Sequence, residues 1–205
     1  FNEGPKFKGT LYGNNKEIIG LEIDREEDDY VGLFERTNRS TIKNLEMTEV
    51  NITGNGGLGE PGVGALAGHN KGNITNVNIK GNVTAKDNQA GLIAGTNRGR
   101  ISGSTAKGKV TGPRFIGLLA GVNNAGTIKN SYAEGEAKGK TVVGGIVGAS
   151  GVDGPALINN SNANVTVIGN DQSSNLPFNS IGGLVAYNND GTIDNSYATG
   201  KVVSR

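Results

Sequence analysis

The sequence predicts an all-β protein built as a parallel β-solenoid, a coil in which short strands stack from one turn to the next. Three observations predict it: a repeat of about 27 residues, alternation of apolar and polar residues inside each repeat, and no sustained apolar pattern at helical spacing. We expect about seven rungs and a single domain over residues 1–205. Within it, residues 1–30 form an opening rung and residues 31–205 the repeats.

The repeat starts with a hydrophobic-glycine motif. Its copies are VGLF at Val31, VGALAG at Val63, AGLIAG at Ala90, IGLLAG at Ile116, VGGIVG at Val143 and IGGLVA at Ile181. Ten to fourteen residues after the glycine of each copy stands an isoleucine: Ile42, Ile74, Ile101, Ile128, Ile158 and Ile193. Because apolar residues recur at the same place in every copy, we expect them to stack as one core column.

Inside each copy, the residues three, five and seven positions after the isoleucine are apolar or small and alternate with polar ones. A period of two marks a strand with one buried face. A unit of about 27 residues cannot bury its own apolar face, whereas stacking like units does so. The small inner residues indicate a narrow interior, and glycines are expected at the corners.

An asparagine column lies two positions after the isoleucine. It comprises Asn44, Asn76, Asn130, Asn160 and Asn195, with Gly103 at that place in the third copy. Stacked amides can hydrogen-bond from rung to rung as a ladder that satisfies buried polar groups. Alternatively, each asparagine merely adopts a turn conformation that other residues resist. Both interpretations give the column a structural role.

The composition is that of a folded chain, and it indicates no particular function. There are 35 glycines, no cysteine and 34% hydrophobic residues, but Val, Ile and Leu are placed regularly, which disordered chains lack. The absence of cysteine excludes disulfides and thiol chemistry. The net charge of +1 names no partner, although acids outnumber bases twelve to seven in residues 1–60 and bases outnumber acids eight to two in residues 98–140.

These repeats resemble the GLUG-motif repeats of bacterial extracellular proteins over about residues 7–203. The resemblance is carried by IGLLAG, by VGGIVG with NNSNA, and by IGGLVAYNNDGTIDNSYATG. It implies a right-handed parallel β-helix in a secreted or wall-attached protein. Such repeats occur in adhesin-like proteins and in the non-catalytic N-terminal regions of streptococcal zinc metallopeptidases that cleave immunoglobulin A. The acidic opening segment LEIDREEDDYVGLFE favours the second group.

The resemblance implies a non-catalytic spacer or interaction module within a larger protein, which is either an adhesin or a protease. We expect no cofactor and no metal in this segment. A host protein or a glycan is the expected partner, with no nucleic acid bound and no membrane insertion. The same chain is expected to continue at one or both ends.

Residues with catalytic potential are few. The zinc-protease signature HExxH is absent, and the single histidine, His69 in AGHNKG, is predicted to lie at a turn in a solvated or locally hydrogen-bonded role. The alternative function is a β-helix that binds or cleaves polysaccharides, with Glu134 and Glu136 as its best carboxylates. These acids are more simply interpreted as cross-strand ion pairs, Lys107 with Glu134 and Lys109 with Glu136.

Three insertions enlarge the repeats, at residues 54–61, 149–156 and 169–180. Insertions in repeat proteins map to loops, and such loops often form a binding face. Slack loops that are tolerated at turns explain them equally well. In the longest insertion, Leu176, Pro177 and Phe178 form the candidate interaction loop, because apolar residues there either cover the solenoid or contact a partner.

Overall fold

The computed structural model describes residues 6–57, 59–170 and 180–204. In these ranges 23 strands form one sheet of 17 strands and one of 6. The first ten are β1 (Thr10–Ile19), β2 (Glu22–Arg25), β3 (Tyr30–Val31), β4 (Phe34–Gly54), β5 (Gly62–Gly64), β6 (Ala67–Ala85), β7 (Ala90–Gly91), β8 (Ala94–Asn97), β9 (Arg100–Ser102) and β10 (Thr105–Thr111). The remainder are β11 (Arg114–Ile116), β12 (Ala120–Asn123), β13 (Thr127–Lys129), β14 (Tyr132–Lys138), β15 (Thr141–Gly144), β16 (Val147–Ser150), β17 (Ala156–Asn159), β18 (Asn162–Gly169), β19 (Ile181–Gly182), β20 (Val185–Asn188), β21 (Gly191–Asp194), β22 (Tyr197–Thr199) and β23 (Val202–Ser204).

Each turn of the coil follows the same path. In the turn β11–β14, β11 contributes the hydrophobic-glycine motif to the smaller sheet, and β12, β13 and β14 then run along three sides of the larger one. Every strand pairs in parallel with its equivalents in the neighbouring turns, so that Ile128 lies opposite Ile101 on one side and Ile158 on the other. The predicted all-β parallel solenoid is therefore confirmed.

The number of turns differs from the prediction of seven rungs. In the described ranges the smaller sheet has six strands, β3, β5, β7, β11, β15 and β19, which enclose five complete turns. The opening strands β1 and β2 add a partial level, because they pair with β4 in the larger sheet only. The solenoid thus has about five complete turns, since a level that lacks one side does not close a turn.

Apolar columns fill the interior. The isoleucines at 42, 74, 101, 128 and 158 are completely buried, as are small residues such as Ala106 and Ala133 on the neighbouring wall. Burial of one such isoleucine contributes about 2 kcal/mol. In the last level the column is uncovered, because Ile193 is 38% exposed and Val202 is 49% exposed. The apolar columns are therefore closed inside the coil and open on the outer side of β21–β23.

No helix in the described part of the chain is long and apolar enough to cross a membrane.

Candidate functional site

Three asparagines form a buried ladder at the corner that follows β8 and its equivalents. Asn70, Asn97 and Asn123 are completely buried. The Asn70 amide donates to Asn97 Oδ1 at 2.8 Å, and the Asn97 amide donates to Asn123 Oδ1 at 2.8 Å. Thr37 extends the series by donating to Asn70 Oδ1 at 2.7 Å. We call these asparagines the inner asparagine ladder, and it satisfies polar groups that burial would otherwise penalise.

The ladder imposes a glycine on the surface beside it. The backbone N–H of Gly99 donates to Asn97 Oδ1 at 3.3 Å, which closes a tight turn. A Cβ atom at Gly99 would lie 2.1 Å from the carbonyl oxygen of Gly72 in the neighbouring turn. The corner therefore has a floor of bare backbone. The residue between asparagine and glycine, Lys71 in one turn and Arg98 in the next, lies at the rim.

A groove of about 520 Å³ lies over this floor. Its lining residues are Arg39, Lys71, Gly72, Asn73, Arg98, Gly99, Arg100, Ala125 and Thr127. We call it the cationic groove, because four of these residues are basic and none of the described ones is acidic. Arg39 and Arg100 are exposed, and within the described ranges neither has an ion-pair partner. Two of the four cations are thus available to a ligand.

Glu60 anchors the other two cations. Its carboxylate accepts from Arg98 at 2.6 Å and from Lys71 at 3.3 Å, and lies 3.6 Å from His69 Nδ1. Burial opposes ionisation of Glu60, but the positive charge of protonated His69, of Lys71 and of Arg98 lowers its pKa below the usual value. One negative charge therefore positions two cations at the edge of the groove.

His69 was predicted to lie at a turn. It lies instead inside strand β6, where it is only 3% exposed. The glycine-rich AGHNKG suggests a turn, yet β6 continues through the corner, and the side chain is covered by neighbouring levels. Burial lowers the pKa of His69 to about 4, so the ring is neutral near pH 7. In the described ranges no group of three His, Cys, Asp or Glu residues could hold a metal ion.

The outer asparagine column combines both interpretations that the sequence left open. The backbone φ lies between +45° and +56° at Asn44, Asn76, Asn130, Asn160 and Asn195. Rung-to-rung amide bonds join Asn76 to Asn44 at 2.9 Å, Asn160 to Asn130 at 2.7 Å and Asn195 to Asn160 at 3.2 Å. Gly103, with φ +57°, interrupts the ladder. The column lies at the surface rather than in the interior, so its main role is to form the second corner.

The predicted cross-strand ion pairs are confirmed. Lys107 lies opposite Glu134 and Lys109 opposite Glu136 in the register of β10 with β14. Their charged atoms are 3.0 Å and 2.8 Å apart. Both carboxylates are therefore engaged with ammonium groups on an outward face, and they do not converge on a cleft.

The predicted interaction loop, Leu176, Pro177 and Phe178, lies outside the described residues. Of the insertion at residues 54–61, Glu60 lies at the edge of the cationic groove, where it contacts Arg98. The cationic groove was not predicted from the sequence. Its signal was present in the dipeptides Asn-Lys and Asn-Arg before glycine, and in the excess of bases that begins at Arg98.

These features define a β-solenoid repeat module that displays variable side chains at a regular corner. The profile of the Glug family, described as the GLUG motif, matches residues 179–203, the last repeat. In fold, the chain is similar to a protein from Bacteroides ovatus whose crystal structure is described as that of a "putative immunoglobulin A1 protease". The TM-score is 0.67 with 20% sequence identity, over 93% of this chain and 61% of that one. Comparison with curated proteins gave no match.

The two findings confirm the resemblance to GLUG repeats and the β-solenoid fold. At 20% identity the structural likeness shows the fold alone. The chain spans 61% of the length of the Bacteroides ovatus protein, so the activity of such a whole protein is a separate question.

Proposed function

We propose that this chain is a non-catalytic β-helical interaction module of a bacterial extracellular protein. It serves as an accessory region of an immunoglobulin A protease-like protein and contacts the substrate or another host ligand. One observation carries the proposal: an unbroken parallel stack whose closed apolar columns support outward rows of side chains that differ from turn to turn. The fold likeness to the Bacteroides ovatus protein supports this setting.

The outward rows provide what a binding module needs. Levels are spaced by about 4.8 Å, and each contributes one side chain to a given row. The buried columns fix the backbone, so the row can vary without loss of the fold. At the inner-ladder corner the residues between asparagine and glycine change from Lys71 to Arg98 to the pair 124–125, Asn-Ala, while the asparagines beneath stay the same. Recognition is therefore assigned to the positions where the copies differ.

Cleavage of a polysaccharide is the alternative, and no feature of the described site favours it. Glycan hydrolysis needs two carboxyl groups that converge on one bond. Glu134 and Glu136 are instead paired with Lys107 and Lys109 along an open face.

The test combines turnover and binding on the same preparation. The chain is incubated with human immunoglobulin A, heparin, hyaluronan and polygalacturonate, and products are sought by gel electrophoresis and by release of reducing ends. Binding to the same ligands is measured by biolayer interferometry. We expect binding of at least one ligand and no products. Turnover that falls by orders of magnitude in Glu134→Gln would overturn the proposal, as would failure to bind any host protein or glycan.

We propose further that another coil of the same kind covers the outer side of β21–β23 in the intact protein. Ile193 and Val202 are exposed there, whereas Ile158 and Val167, one level below, are completely buried. An uncovered strand edge also offers its backbone groups for pairing. Hydrogen exchange tests this point: amides of β21–β23 should gain protection in a version that carries more of the parent chain. Equal protection in both versions would contradict it.

A further inference from the structure

We propose that the cationic groove binds a linear acidic glycan through the carboxylate or sulfate groups of successive sugar units. The inference rests on the proposed function as an interaction module and names the ligand class of its corner. It is carried by the charge, spacing and shape of the groove over the first three levels of repeats.

The basic side chains form a row parallel to the solenoid axis. Arg39 belongs to β4, Lys71 to β6, and Arg98 and Arg100 to the next turn, where Arg100 lies opposite Asn73 of β6. With about 4.8 Å between levels, Arg39 and Arg100 are about 10 Å apart along the axis. The row therefore presents a positive charge at every level, with its two unpaired arginines two levels apart.

The charge balance leaves the groove strongly positive. Glu60 offsets one of the four positive charges through its contacts with Lys71 and Arg98. The planar guanidinium groups of Arg39 and Arg100 can each hold a carboxylate or sulfate through two parallel hydrogen bonds. Arg39 also has a backbone φ of +50°, at a bulge where the register of β4 shifts.

The shape of the groove admits an extended chain. Gly72 and Gly99 form a floor of bare backbone in the groove, because a side chain at either would clash with the neighbouring turn. Asn73 and Thr127 line the same groove and provide an amide and a hydroxyl for sugar hydroxyl groups. The floor is rigid because the buried inner asparagine ladder supports it. The groove thus combines fixed cations with neutral polar groups, as recognition of an acidic sugar requires.

The spacing and composition of the groove favour a glycan over other polyanions. An extended acidic peptide repeats its same-face charges at about 6.7 Å, out of phase with levels at about 4.8 Å. Single-stranded nucleic acids are held largely by stacking on aromatic side chains, and none of the described lining residues is aromatic. An extended glycan with one acid per disaccharide repeats its charge over about two levels, which matches Arg39 and Arg100.

The row of basic side chains does not continue along the whole solenoid. At the next level the corner carries Ala125, and later turns carry Asp153 and Asp190 in their corner loops. Acidic residues repel a polyanion, so the cationic part of the site is confined to the first three levels of repeats. This limit supplies a gain-of-function test: Ala125→Lys, compared with Ala125→Gln, extends the row by one level.

The experiment measures affinity for heparin, which is sulfated, and for hyaluronan, which carries only carboxylates. Neutral dextran, polyglutamate and single-stranded DNA serve as comparison ligands. The Arg39→Ala, Arg100→Ala double variant should bind the preferred acidic glycan about tenfold more weakly. The Lys107→Ala, Lys109→Ala variant changes net charge equally on another face and should stay within about twofold. Ala125→Lys should bind about threefold more tightly than Ala125→Gln.

Comparison of the two double variants decides where the ligand binds. Equal loss in both would overturn the groove assignment, because attraction would then follow net charge alone. Tighter binding of polyglutamate or DNA than of either glycan would overturn the ligand class. Failure to bind both acidic glycans while a host protein still binds would overturn this inference and leave the interaction module standing. Cleavage of a ligand would instead contradict the module itself. Far-UV circular dichroism spectra that match the wild type show that the variants are folded.

Discussion

Replacement of Asn97 by alanine is the sharpest test of what stabilises the corner. Asn97 is the middle member of the inner asparagine ladder and is completely buried. Its amide group takes part in two bonds of 2.8 Å to neighbouring turns, and two further bonds of 3.3 Å tie it to Gly99. The substitution removes all four without changing a surface charge.

The expected loss can be worked out from these contacts. Each short amide bond contributes about 1 kcal/mol net to folding. Asn123 Oδ1 accepts only from Asn97 among the described residues, so the variant also leaves a buried acceptor unsatisfied, at a cost of about 1–3 kcal/mol. Asn70 keeps a bond of 3.3 Å to the carbonyl of Gly72 and is less affected. We therefore expect the free energy of unfolding to fall by about 3–5 kcal/mol.

Urea unfolding followed by far-UV circular dichroism measures this change. Asn164→Ala is the matched control, because Asn164 is an exposed asparagine on β18 outside both asparagine rows, and its removal should change stability by less than about 0.5 kcal/mol. A loss for Asn97→Ala no larger than that of the control would refute the role assigned to the ladder.

Two further predictions concern the second corner and the buried histidine. Gly103→Asn should stabilise the fold by about 0.5–1 kcal/mol, because φ is +57° and the added amide can join Asn76 to Asn130; a urea midpoint below that of Gly103→Ala would contradict it. Because burial depresses the pKa of His69 from 6.5 to about 4, its contribution is complete above pH 6.5 and is lost as pH falls towards 4, by about 3 kcal/mol. His69→Gln should flatten the stability profile between pH 6.5 and 4, and an unchanged slope would disprove this origin.

Much of the fold could be predicted because the repeat determines its own contacts. Once Ile101, Ile128 and Ile158 are recognised as equivalent, parallel stacking makes them neighbours. The same register places Lys109 opposite Glu136, so even an ion pair between residues of different turns followed from the sequence. In a stacked repeat, residues that are one period apart in sequence are in direct contact. In a fold without repeats, the spacing of residues in the sequence does not indicate which distant residues touch.

The site was less predictable, because it depends on the path of the chain through the corners. AGHNKG has the composition of a turn, yet His69 lies within a strand and is buried. Glu60 reaches Arg98 across 38 residues through an insertion whose shape no periodic pattern describes. Arg39 lies before the first corner that is built from asparagine and glycine. It lines the groove at a bulge, where the register of β4 shifts. Each of these positions departs from the repeat, so the period carries no information about it.

The sequence alone thus determined the solenoid, its core columns and the pairing of equivalent residues, because translational repetition leaves a single register that stacks the equivalent isoleucines in one column. Only the tertiary structure decided which asparagines are buried, how many turns close, and that four cations from different turns share one groove. These properties depend on where each corner bends and on which side chain a neighbouring level covers. The physical reason is that burial and charge proximity across a corner are set by backbone direction, which the hydrophobic period does not encode.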